Sequence, residues 1–145
     1  MKLLKDNWSL TGDLTGSSTP FGVGVRFTTG WYDERILTPQ VSVTPAYTID
    51  TVLNLNCDKY KVDDYLNINI WLRLSSTSNT SVGKIKANRW AVIQEVKKII
   101  RNHNKDYGFR GLRMFTFVRS TMRDELREDP PLLRCELLAK VTYLL

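Results

Sequence analysis

The chain has 145 residues, 42% of them hydrophobic and 25% charged, which fits one globular domain and excludes disorder along its whole length. Its net charge of +6 is uneven: residues 1–60 hold five bases and six acids, whereas residues 84–123 hold eleven bases against two acids. No run of eighteen apolar residues occurs, so no membrane contact is expected, and the two-leucine run in Met1–Trp8 predicts no signal peptide and a protein kept in the cell.

In chain order, residues 1–19 read as an irregular arm that frays or docks on a neighbour. Thr11-Gly12-Asp13 and Gly16-Ser17-Ser18-Thr19-Pro20 are turn and linker chemistry, with Trp8 the large apolar group nearby. Residues 20–145 read as a single domain. Phe21–Thr28 alternates as a strand weakened by Gly22 and Gly24, and Thr29–Arg35 reads as a loop. Pro39–Pro45 predicts a short strand bracketed by prolines, Val52–Cys57 another, and Asp58–Asp64 a polar connection.

Tyr65–Leu74 carries the clearest pattern. Leu66, Ile68, Ile70, Leu72 and Leu74 share one face, while Tyr65, Asn67, Asn69, Trp71 and Arg73 share the other, which predicts one buried and one wetter face. After the polar run Ser75–Ser81, a helix is expected over about Lys84–His103, with Ile85, Val92, Ile93, Val96, Ile99 and Ile100 in one stripe. Arg113–Arg119 and Leu132–Leu144 alternate as strands, separated by a charged loop, Asp124–Pro131. The expected class is α+β: a mixed, largely antiparallel sheet packed against one long amphipathic helix.

The residues of common active sites are scarce. A single histidine, His103, cannot build a multi-histidine metal site, no G-x-S-x-G nucleophile elbow is present, and Gly22-Val23-Gly24 lacks the rest of a nucleotide fingerprint. Cys57 and Cys135 are far apart and read as buried free thiols. The best enzymatic alternative is a metal-dependent nuclease using Asp63, Asp64, Glu95 and Lys97. Against it, Glu95 and Lys97 lie two apart on a helix, where their side chains diverge. No catalytic residue, metal or cofactor is expected.

The basic tract has two readings. Lys97, Lys98, Arg101, Lys105, Arg110 and Arg113 either line a phosphate-binding patch, with Tyr107 and Phe109 for stacking, or form the solvated face of an amphipathic helix. A nucleic-acid-binding module using residues 84–123 is therefore the alternative function. The patch also suits an acidic surface, such as Asp124, Glu125, Glu128 and Asp129 on another copy.

The succession Pro39-Gln40-Val41-Ser42-Val43-Thr44, Asp64–Trp71, a helix near Arg89-Trp90, and a closing strand from Pro131-Leu132-Leu133-Arg134 to Val141-Thr142-Tyr143 resembles the tail-terminator and tail-completion proteins of tailed phages. The resemblance spans about residues 36–145. It implies a non-catalytic virion subunit, assembled in the host cytoplasm, that closes into a homo-oligomeric ring at the head–tail junction. Tail-tube or neck proteins would be its partners, with possible DNA contact in the lumen. Head-to-tail packing needs two unlike faces, for which the basic tract and the acidic loop are the expected pair. Such a contact would strengthen at low ionic strength.

Overall fold

The computed structural model describes residues 1–9, 25–35, 39–56, 59–73, 82–103, 112–125 and 132–144. Seven elements follow in order: α1 (Lys2–Asp6), β1 (Arg26–Thr28), β2 (Gln40–Val52), β3 (Tyr60–Arg73), α2 (Val82–Asn102), β4 (Leu112–Glu125) and β5 (Leu132–Leu144). The strands form one mixed sheet in the order β1-β2-β3-β5-β4. β1 is parallel to β2, and every other neighbouring pair is antiparallel.

This corrects the expected class. More than half of the described residues lie in strands, and the description of a sheet packed against one long helix does not hold. Four strands have 13 or 14 residues. At about 3.3 Å per residue such a strand reaches roughly 46 Å. The 21 residues of α2 reach only about 31 Å. The sheet is thus the frame of a mainly-β molecule, and helix shields one end of one of its faces.

The alternation in β3 builds the core. Ile68, Ile70 and Leu72 are buried on the shielded face, with Val41 opposite Ile70 on β2 and Cys135 opposite it on β5. Val92, Ile93, Val96, Ile99 and Ile100 of α2 complete this cluster. Cys135 is a fully buried thiol, and burial pushes its pKa up to about 11, so it is not a reactive group. Cys57 lies outside the described residues.

Several boundaries differ from the sequence reading. The first of the two short strands runs on as β2 to Val52, whereas residues 53–56 of the second form a turn and no strand, and the register of β2 to β3 shifts between Pro45 and Tyr47 where proline removes a donor. The polar connection ends early, because Tyr60–Asp64 already belong to β3. Asp124 and Glu125 belong to β4 rather than to a loop. Part of the irregular arm is helical: α1 sends Leu4 into the core, and Trp8 packs edge-on against Phe27 at 5.2 Å. Within that arm, residues 10–19 lie outside the described residues.

Candidate functional site

The basic residues do not form one free patch. Lys98 sits 3.5 Å from Glu95 and 3.2 Å from the Ser9 hydroxyl, while Lys97 lies over the Trp90 ring at 6.0 Å. Arg101 is exposed near the end of α2. Arg113 is placed by the β4 backbone alone, and Lys105 and Arg110 lie outside the described residues.

The acidic group divides in the same way. Asp124 is held within its own molecule by Lys86 at 3.2 Å and by Arg89, which is buried and also donates to the Arg134 carbonyl at 3.2 Å. Glu125 ends β4 in an exposed position, and Glu128 and Asp129 lie outside the described residues. The basic helix and the acidic segment therefore meet inside one chain at Asp124, which weakens their use between chains.

The candidate nuclease carboxylates do not converge. Asp63 and Asp64 are adjacent strand residues and point to opposite faces. Asp63 accepts from Thr142 and pairs with Lys61 at 3.0 Å; Asp64 accepts from Thr48 and from the Tyr143 hydroxyl at 2.8 Å. Glu95 instead clasps the Ser9 amide at 3.0 Å and its hydroxyl at 2.7 Å, fastening the N-terminal segment to α2. Among the described residues no cluster of histidine, cysteine, aspartate or glutamate could hold a metal ion.

These acids set the response to pH. Hydrogen bonds from Thr142 and then Lys61 hold Asp63 below the usual carboxylate range. For Glu95 and Asp124 burial pushes upward, but bonds from Ser9 and Lys98, or from Arg89 and Lys86, outweigh it and leave both depressed. Depressed carboxylates contribute stability that is fully present above the unfolded pKa, about 4, and lost as pH falls through the folded one. The urea midpoint is accordingly expected to drop between about pH 6 and about pH 3. In Arg89→Met the midpoint should start lower, and its gap to wild type should narrow in acid. A constant gap across this range would show that Asp124 is not coupled to Arg89.

Sequence reasoning missed a polar and aromatic cluster on the face of the sheet opposite the core. Trp71 and Arg134 are register partners, as are Ser42 with Asn69 and Asn69 with Glu136. Arg134 lies 4.5 Å from the ring centres of both Trp31 and Trp71, which meet each other edge-on at 5.1 Å, and donates to Asn69 at 3.0 Å and Glu136 at 2.9 Å. Residues 31–35 cover this face. Gln40 ties them down by accepting from the Asp33 amide at 3.0 Å and donating to its carbonyl at 2.7 Å, while Arg73 donates to the Glu34 carbonyl at 3.0 Å. The cluster is a clamp that fixes the β1–β2 connection. Its trace in the sequence was Asn69, Trp71, Arg134 and Glu136 sharing one parity of their strands.

The far half of the β2–β3 hairpin is of another kind. From Pro45 to Val52 every residue of β2 is exposed. Tyr47, Ile49, Val52 and Leu53 are each about half exposed, and Leu55 is fully exposed at 101%. Tyr47 stacks on Tyr65 at 4.3 Å, which stiffens the hairpin without covering it. Along β4, Met114, Val118 and Met122 are exposed too. Apolar side chains gathered on one exposed edge mark an interaction surface more often than a scattered few do.

No protein-family model matches the chain, and no curated protein matches it significantly.

Proposed function

We propose that this protein is a virion assembly subunit of the tail-terminator or tail-completion type, forming a ring at a head–tail junction and acting by association rather than catalysis. The observation that carries this reading is the exposed edge and turn of the β2–β3 hairpin, where Tyr47, Ile49, Val52, Leu53 and Leu55 face solvent. A monomer that kept these groups in water would gain nothing from them, whereas burying them against a neighbour is favourable by about 25 cal/mol per Å². The pairing of the candidate carboxylates with hydroxyls and bases is in keeping with a protein that binds rather than reacts.

The test is the oligomeric state, by light scattering after size exclusion, alone and with the tail-tube and neck proteins of the same virion. An apolar contact survives high salt, whereas one between exposed charges weakens within a Debye length of about 8 Å at physiological ionic strength. Assembly is therefore expected to persist at high salt. Leu53→Ser with Leu55→Ser should weaken it about tenfold or more without shifting the melting temperature. A chain that binds neither itself nor any such protein would sink the reading. Salt-sensitive DNA binding by a persistent monomer would favour the nucleic-acid module instead.

A further inference from the structure

We infer that copies of the protein join by strand addition, β4 of one copy pairing antiparallel with the free stretch Val43–Val52 of β2 in the next. This rests on the reading of the protein as an assembly subunit, and it assigns the surface and the partner, a second copy of this chain.

Among the described residues the sheet is open at both ends. β1 pairs with β2 only at Gln40, Val41 and Ser42, so among the described residues Val43–Val52 is laddered on its β3 side alone. Among the described residues β4 is laddered only to β5, along Leu112–Glu125. Unpaired edges of this length are templates for another strand unless something blunts them. On β2 the cover by β1 stops at Ser42, and Pro45 with the register shift beside it interrupts the edge only as far as Tyr47.

Strand direction selects which edges meet. β2 against β3, β3 against β5, and β5 against β4 are all antiparallel, so β4 runs opposite to β2. A second copy set beside the first in the same orientation brings β4 against β2 as a further antiparallel pair. The joined edges are unlike, so each added copy leaves one edge of each kind open, and growth ends only when a ring closes. Pairing of like edges would close at a dimer instead.

Chemistry favours the unlike pair as well. Between Leu112 and Arg123, β4 carries Arg113, Arg119 and Arg123 and no acid, whereas β2 carries Asp50 and no base. β1 stops the incoming strand at Ser42. A β4 that reaches that stop with Asp124 opposite Val43 sets Arg119 opposite Ile49, beside Asp50, once the register shift between Pro45 and Tyr47 is counted. On the other face of the sheet the exposed Met122 of β4 then lies against the exposed Pro45 of β2. Two β2 edges would instead bring Asp50 toward the Asp50 of the other copy without a base on either strand.

Single substitutions on each edge separate these outcomes. Ile49→Lys charges the β2 edge and Val118→Lys the β4 edge, and both residues are about half exposed, so each variant should fold. Each alone should weaken assembly about tenfold or more. Each also keeps one intact edge of the opposite kind, so mixing the two should yield a heterodimer and nothing larger. Thermal melts on both variants establish that they are folded. If both variants assemble as wild type does, or the mixture stays monomeric while wild type assembles, strand addition is overturned and the assembly reading stands. Wild type that remains monomeric at every concentration also overturns strand addition, and the assembly reading then depends on its binding to tail or neck proteins.

Discussion

Ile70→Asp is expected to abolish the cooperative fold. Ile70 is completely buried, flanked by Val41 and Cys135 in register, and belongs to the cluster that α2 closes with Val92, Ile93 and Val96. A carboxylate there meets no cationic partner among the buried residues of that cluster. Substitutions that bury an unpaired charge fall in the exceptional range above about 4–5 kcal/mol. A domain of this size holds only about 5–15 kcal/mol in total. Far-ultraviolet circular dichroism and urea titration should show a variant without a cooperative transition. Ile49→Asp, on the exposed hairpin, is the control and should melt close to wild type. A soluble Ile70→Asp protein with a sharp melt would mean that this strand faces the other way.

What could be read from the sequence was what neighbours in the chain decide. The strict alternation of Ile68, Ile70 and Leu72 placed the buried face because three aliphatic groups at period two have one way to leave water together. The helical stripe from Val92 to Ile100 was legible for the same reason at period 3.6. Strand ends were not. Asp63, Asp64 and Asp124 look like loop residues, and they become strand residues because Thr142, Thr48, Tyr143 and Arg89 reach them from elsewhere in the fold. The weight given to the helix failed too, since the length of β2 and β4 rests on pairing between distant segments.

The wetter face was misjudged for a related cause. Alternation shows that Asn69 and Trp71 point away from the core, and solvent is the default there. Residues 31–35 fold back over that face, leaving Asn69 at 0% and Trp71 at 3% exposure. The charged tract shows the same limit: a count of bases registers Lys98 as free, whereas Glu95 and Ser9 hold it. The hairpin's exposed leucines read as a short strand because burial cannot be told from exposure by composition alone.

Arg134→Ala is expected to cost about 3–5 kcal/mol, the range for breaking a buried ion pair from one side. Arg134 is only 6% exposed, and its side chain serves three groups at once: Glu136, Asn69, and the edge-to-face pair of Trp31 and Trp71. Alanine would strand the Glu136 carboxylate and the Asn69 carbonyl oxygen beneath residues 31–35. That face already carries unmet polar atoms, since Ser42 Oγ, Asn69 Nδ2, Trp71 Nε1 and Arg134 Nε have no hydrogen-bond partner among the described residues. Further unmet groups there cost about 1–3 kcal/mol each. Arg134→Lys keeps the charge but loses the planar stacking, worth about 0.5–2 kcal/mol, so it should recover part of the loss. Urea unfolding followed by tryptophan fluorescence reads both effects, because Trp31 and Trp71 flank the altered site. Arg134→Ala should lower the midpoint and shift the native emission to the red as Trp31 loses its support. Stability within about 1 kcal/mol of wild type and unchanged emission would show that residues 31–35 do not close over this face, for a solvated arginine pair is worth about that little.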